Sequence, residues 1–256
     1  LLGIPVVAFD QAADGQEGPW VTTARMETLR SPKELAGPAL GLPALTFRAW
    51  FESQFGTEEW RALDKIPRVQ WMDYLRWYRQ VLALPVRNLQ RVYDVQPQED
   101  HVELRLSDLT GTQADYTLRA RHLVLASGHD GLGGPLLPAW AHQLPAGCWA
   151  HSSHDYDVAA LRSKRVVVIG GASSAMDSAA SALEAGAARV DLLIRGSDLP
   201  RINKSKGVGS PGMLHGYWQL PDDWKWRIRQ YINAEQIPPP HGSTLRVSRH
   251  EQAHFQ

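Results

Sequence analysis

Residues 164–195, KRVVVIGGASSAMDSAASALEAGAARVDLLIR, decide the fold of this chain. Four apolar residues, Val166 to Ile169, run straight into Gly170-Gly171. A run of small residues from Ser174 to Ala185 follows, rich in helix-favouring alanine, and Gly186 stops it. A second apolar run, Val190 to Ile194, closes the unit. The spacing predicts strand, glycine turn, helix and strand, a βαβ unit. In such a unit the helix N-terminus turns its free N–H groups and the positive end of its dipole toward a pyrophosphate. The chain is therefore expected to handle a nucleotide cofactor.

The dinucleotide fingerprint G-x-G-x-x-[G/A] calls for small residues at 170, 172 and 175. Gly170 and Ala175 meet it, whereas position 172 carries Ala172. Ser173 and Ser174 can cap the helix and offer hydroxyls to a phosphate. About 20 residues after the turn, an NAD site carries an acid for the ribose 2′-hydroxyl and an NADP site an arginine for the 2′-phosphate. Arg195 stands there, and a guanidinium grips a phosphate through two hydrogen bonds. Gly170, Gly171, Ser173, Ser174, Ala175 and Arg195 are the candidate residues for this cofactor, with NADP favoured over NAD. A plain strand–helix turn and a solvated strand-end arginine are the alternatives at this point.

Composition bounds the rest. With 256 residues the chain can hold one large or two small domains. Lys plus Arg and Asp plus Glu balance at 27 each, which argues against nucleic acid or an anionic membrane as the main partner. The single cysteine, Cys148, excludes an internal disulfide and a dithiol pair, and suits a reducing, cytoplasmic setting. No apolar run approaches the ~18 residues of a membrane span. No basic-then-apolar signal peptide opens the chain. The ten tryptophans are expected in the core and in cleft walls. The histidines show no metal-binding spacing, so no metal is expected, and no Ser/His/Asp or Cys/His set nominates a catalytic residue.

The opening LLGIPVVAFD has the pattern of a helix end and a strand, Val6 to Phe9, followed by Asp10. An acid there is where a ribose-binding carboxylate stands. The matching glycine loop would lie upstream, so the chain is expected to be N-terminally incomplete; a plain edge strand is the alternative. Helices are expected at Phe47–Gln54, Thr57–Leu63 and Trp71–Leu82, the last with Trp71, Tyr74, Leu75, Tyr78 and Leu82 on one face. Alternation predicts antiparallel strands at Val92–Val95, His101–Leu106 and Tyr116–Ala126, with Leu123–Ala126 as a buried strand leading to Gly128. Gly131–Pro138 carries a linker signal. Arg201–Gly212 is a basic, glycine-bearing loop, and a helix is expected at Asp222–Gln236 before Pro238–Pro240. The tail shows no further strand pattern.

In chain order stand Asp10, EGPW (17–20), the alternating strands, LVLASG (123–128), GGASSA (170–175) and Arg195. This order resembles the flavin-containing monooxygenase-like proteins, flavoproteins with two dinucleotide sites. EGPW is similar to the GGxW segment of that family, with Pro19 in place of a glycine. LVLASG is similar to the ATG strand, with Ser127 for threonine. TARMETLRSPKEL (23–35) is similar to the segment that wraps the flavin. The linker fingerprint F-x-G-x-x-x-H-x-x-x-W/Y is met at Gly147 and His151. Pro145 replaces its Phe, Asp155 occupies its aromatic position, and His151 and His154 are expected to serve the linker.

The resemblance implies an α/β fold with two incomplete Rossmann-like domains and an antiparallel meander. Residues 1–135 would belong to the FAD domain, 136–163 to a linker and 164–256 to the NADPH domain. It implies FAD held by Asp10, Gly18, Trp20, Arg30, Ser31, Ala126 and Gly128, and NADPH held by the second unit. It implies a monooxygenase that passes one oxygen from dioxygen, through a flavin hydroperoxide, to a small-molecule substrate. An NADPH-dependent flavoprotein reductase and a non-catalytic nucleotide-binding fragment are the alternatives. A homo-oligomer is compatible with all three.

Overall fold

The computed structural model describes residues 3–35, 37–128, 133–203, 206–234 and 237–256. The fold is mixed α/β, and the chain divides into two compact units, residues 1–155 and 156–256.

In the first unit a short strand β1 (Ala8–Phe9) pairs in parallel with β2 (Val86–Arg87). Between them lie α1 (Phe47–Phe55), α2 (Thr57–Ala62) and α3 (Arg68–Val81). Thr46 caps α1, its hydroxyl accepting from Ala49 N at 3.2 Å, and Gly56 ends it. Lys33 closes α2 by donating to Trp60 O (2.6 Å) and Leu63 O (2.5 Å) while its ammonium lies over the Trp60 ring. The stripe expected on α3 packs inward: Tyr74 and Tyr78 are buried, with Trp71, Leu75 and Leu82 against them and Phe47, Trp50 and Phe51. Phe47 and Tyr74 are fully buried and meet edge-on at 5.4 Å. The Tyr74 hydroxyl donates to Leu45 O at 2.7 Å, and burial pushes its pKa up to about 12.

A three-stranded antiparallel sheet follows, β3 (Gln90–Pro97), β4 (Val102–Asp108) and β5 (Tyr116–Ala120), paired in sequence order. A bulge between Val92 and Asp94 shifts its register.

Several expectations need correction. The strand at Val6–Phe9 shrinks to Ala8–Phe9, and Val6 is exposed. Leu123–Ala126 is not a buried strand: β5 stops at Ala120, and Val124 and Leu125 are 83% and 70% exposed. Its apolar side chains suit a sheet, but among the described residues no neighbouring backbone pairs with it. Part of the expected linker at 131–138, part of the loop at 201–212 and the last two residues of the helix to Gln236 fall outside the described residues.

The second unit is built on a parallel sheet, β6 (Arg165–Ile169), β7 (Arg189–Leu193) and β8 (Ala253–Phe255), in that order. Helix α4 (Ser173–Glu184) crosses from β6 to β7. It packs through Met176, Ala179, Ala180 and Leu183 against Val190 and Leu192. Helices α5 (Pro211–Gly216), α6 (Asp222–Ala234) and α7 (His241–Ser248) follow. Helix α6 buries none of its residues, and Trp224 and Trp226 are exposed, so these tryptophans do not fill a core. The tail does carry structure, α7 and β8. β8 is three residues long, too short to show alternation, and α7 opens on His-Gly with no apolar stripe.

A buried polar cluster ties α7 to α4. Ser243 Oγ donates to Asp177 Oδ1 at 2.6 Å, and Arg246 forks onto Glu184 (2.9 and 2.7 Å) with Asp177 3.6 Å away. The Arg246 guanidinium holds the Glu184 carboxyl below the usual carboxylate range. Arg246→Ala removes the buried guanidinium that Glu184 and Asp177 share and is expected to destabilise the protein by about 3 kcal/mol in urea unfolding followed by circular dichroism. Glu184→Gln is expected to be destabilising at neutral pH. Because the folded carboxyl titrates lower than the unfolded one, the gap to wild type closes as pH falls below about 4.

Candidate functional site

The glycine turn lies at the carboxyl ends of the parallel strands, where open α/β sheets take ligands. Gly170 N donates to Leu193 O at 2.9 Å, so the turn is tied to the end of β7. Gly170 has φ +129°, a conformation that side-chain-bearing residues rarely adopt. At Gly171 a Cβ would lie 3.1 Å from both Ile194 and Leu199, so a hydrogen there allows the close approach of turn and strand end.

Ala172 is the helix N-cap, with φ −92° and ψ 178°. Any residue adopts that extended backbone, so the alanine in place of the fingerprint glycine is unstrained. Ser173 and Ser174 are the first two residues of α4 rather than its cap, and no side chain caps the helix. Among the described residues the first α4 N–H taken up is that of Met176, by Ala172 O at 3.1 Å. The first turn holds no acid. Unpaired N–H groups, two hydroxyls and the dipole therefore converge at Ser173–Ala175, an arrangement that fits a phosphate. Arg195 is exposed at the same end of the sheet and makes no ion pair among the described residues.

In the first unit Asp10 follows β1. Its Oδ1 accepts from Ala12 N at 2.8 Å, and among the described residues Oδ2 has no hydrogen-bond partner, which fits a carboxylate for a ribose hydroxyl. Arg79 of α3 clamps the loop that follows. Its guanidinium reaches Asp14 (2.6 Å), Glu17 (2.5 Å), Asn88 Oδ1 (2.8 Å) and Val86 O (3.2 Å). Asn88 in turn donates to Glu17 at 2.6 Å and to Ala12 O at 3.1 Å, and Arg76 donates to Gly15 O. These basic and amide side chains carry no motif and were invisible to spacing arguments.

The clamp leads into Gly18 (φ +71°) and Trp20, whose ring meets Trp71 edge-on at 6.2 Å and whose carbonyl accepts from Arg68. Arg30 and Ser31 are exposed; Arg30 O accepts from Lys65 at 3.3 Å. Ala126 and Gly128 are exposed too, and no hydrogen bond among the described residues joins them to the Asp10 loop. His151 and His154 serve their own turn, His151 N donating to His154 Nδ1 at 3.2 Å. Among the described residues no group of three or more His, Cys, Asp or Glu is placed to hold a metal, and no helix is long and apolar enough to cross a membrane.

The sequence pattern of the L-lysine 6-monooxygenase/L-ornithine 5-monooxygenase family matches residues 58–237, more than half of the chain. The chain belongs to this family. It is 44% identical over 246 residues to an FAD-dependent urate hydroxylase from Xanthomonas campestris pv. campestris, an alignment covering 96% of this chain and 51% of that protein. The chain thus spans about half the length of this curated relative. The lysine/ornithine monooxygenase fold recurs in solved structures. An ornithine hydroxylase from Pseudomonas aeruginosa matches with a TM-score of 0.76 at 17% identity, over 98% of this chain and 65% of its own. An ornithine N-hydroxylase from Kutzneria sp. 744, solved with reduced FAD, NADP+ and L-ornithine, matches with a TM-score of 0.65 at 20% identity, over 97% and 64%.

Arg79→Met takes the countercharge from the half-buried Glu17, which keeps only its Asn88 contact among the described residues, and is expected to cost about 2 kcal/mol, and Asn88→Ala about 1 kcal/mol, in urea unfolding. Gly170→Ala is expected to cost about 1–3 kcal/mol in the same measurement, from its backbone alone.

Proposed function

We propose that this chain is the central part of an FAD- and NADPH-dependent monooxygenase that hydroxylates a small nitrogen-containing molecule with dioxygen. The observation that carries the proposal is the uncapped α4 N-terminus behind the Gly170 turn, in a chain of a monooxygenase family. In this proposal residues 1–135 form part of the FAD-binding domain and residues 164–256 part of the NADPH-binding domain, joined by 136–163. The two would be Rossmann-like, with β3–β5 as the meander.

Asp10, Gly18, Trp20, Arg30, Ser31, Ala126 and Gly128 would line the FAD site, with Arg79 fixing the loop that carries Glu17 and Gly18. Gly170, Gly171, Ser173, Ser174 and Ala175 would receive the NADPH pyrophosphate, and Arg195 its 2′-phosphate. The chemistry a bound flavin supplies is hydride acceptance and reduction of dioxygen; overall NADPH, a proton and O2 go to NADP+, water and one oxygen atom on the substrate. The protein's share is to hold the cofactors and to keep the site dry.

A planar purine of the urate type is the favoured substrate class. Its support is the 44% identity to a urate hydroxylase, against 17–20% to the ornithine enzymes. A single cysteine and balanced charge suit a cytoplasmic enzyme, and a homo-oligomer is compatible with them.

The full-length protein is expected to purify yellow, to oxidise NADPH, and to do so faster with urate than with L-ornithine or L-lysine. Hydroxylated product should then exceed hydrogen peroxide. NADPH oxidation with peroxide as the sole product for every substrate would make it a reductase. A colourless protein that leaves NADPH untouched would make it a binding module.

A further inference from the structure

The turn at residues 151–154 is closed from both sides by one residue. His154 N donates to His151 O at 2.9 Å, and the His154 ring returns the contact, its Nδ1 accepting from His151 N at 3.2 Å. His151 uses its own ring in the same sense. Its Nδ1 accepts from Ser153 N at 3.2 Å and meets Ser153 Oγ at 2.8 Å. A backbone N–H can only donate, so in both contacts the ring nitrogen is the acceptor. A neutral imidazole has one such nitrogen and an imidazolium has none. The turn therefore needs a bare Nδ1 on both rings.

Acid removes that acceptor. Protonation of His154 sets an N–H against the N–H of His151. Protonation of His151 ends its contact with Ser153 N and leaves it the Ser153 hydroxyl, which can turn and accept. With both rings protonated, two positive charges would lie on rings whose centroids are 5.8 Å apart. A proton also gives His154 an alternative place. The Trp149 ring lies 6.1 Å away, tilted by 49°, and an indole face attracts an imidazolium. His142 stands edge-on to Trp149 at 5.9 Å, and Asp155, Tyr156 and Asp157 follow in the chain. A charged His142 opposes protonation of the pair, and the two carboxylates favour it. Asp157 Oδ1 already accepts from Ala159 N at 2.9 Å.

We propose that His154, together with His151, is a pH-sensitive clasp, closed while both rings are neutral and open once they are protonated. The clasp adds stability at neutral and higher pH. It loses it as pH falls through the range in which imidazoles take up a proton, ~6.5 for an ordinary histidine. It ends at the penultimate residue of the first compact unit. In the proposed function it belongs to 136–163, the connection between the FAD and NADPH parts. Four residues span less than about 7 Å in a closed turn and about 10 Å when extended, so opening lengthens this tether. A longer tether lowers the effective concentration of one cofactor domain at the other. That consequence rests on the monooxygenase reading, whereas the clasp itself does not.

The test is hydrogen exchange of the full-length protein, read by mass spectrometry on peptides spanning 145–157. Wild type, His154→Asn and His154→Ala are compared at about pH 7.5 and about pH 5.5, on either side of the imidazole range. Asparagine puts an oxygen acceptor near the place of Nδ1 and takes up no proton. Comparing proteins at one pH cancels the pH dependence of chemical exchange. At the higher pH wild type and His154→Asn should match, with His154→Ala about fivefold less protected. At the lower pH wild type should fall to the level of His154→Ala, about fivefold below His154→Asn. The neighbouring turn, in which Cys148 N donates to Pro145 O at 3.1 Å, has no ring in it and should not respond. Wild type that stays above His154→Ala at the lower pH overturns the clasp, whether or not asparagine closes the turn. Equal protection of wild type and His154→Ala at the higher pH overturns it too. Product formed per NADPH oxidised should drop between the two pH values more in wild type than in His154→Asn, and equal drops overturn the tether role. If neither protein oxidises NADPH at either pH, the monooxygenase reading fails, and the exchange result still decides the clasp.

Discussion

Helix α4 can lie close to the parallel sheet because its inner face is built of alanine. Ala179, Ala180 and Ala182 are buried to within 1% and place no bulk between helix axis and strands. That approach fixes where the helix begins, and hence how tightly the chain must turn after β6. Gly170 supplies the unusual backbone and Gly171 the missing side chain that such a turn needs. The unpaired N–H groups of α4 then stand at the strand ends as a consequence of packing. The binding geometry of the second unit is in this sense a by-product of its core.

The first unit reaches a comparable result by other means. The loop after Asp10 has little apolar content to anchor it, and polar contacts from α3 do so instead. Arg79 and Asn88 spend nearly all their donors on this loop and the residues beside it. Helix α3 thus has two jobs on two faces. One packs Tyr74 and Tyr78 into the aromatic core, and the other holds a loop whose conformation its own sequence does not specify.

The βαβ unit was legible in the sequence because helix, turn and strand each carry a local signal and those signals agree. The aromatic stripe of α3 was legible for the same reason. Leu123–Ala126 misled because alternation reports what a segment could bury, and pairing depends on a neighbouring strand that no local pattern reveals. Helix α7 and β8 escaped notice because a partner contributes much of what holds them. Arg246 finds Glu184 sixty-two residues away, and β8 finds its place by pairing with the backbone of β7. Arg79 was hidden in the same way, since an arginine's partners are a matter of tertiary placement.

The division of the tryptophans has an optical consequence. Trp50 and Trp60 are buried in the first unit, and Trp20, Trp71 and Trp77 pack against them. The second unit holds only Trp218, Trp224 and Trp226, which are 71%, 53% and 63% exposed while folded. Indole emission shifts when a ring passes from apolar surroundings into water, and these three rings are already wet. Intrinsic fluorescence will therefore follow the melting of the aromatic core and stay nearly blind to the parallel sheet. The same three indoles should be the ones that iodide quenches first.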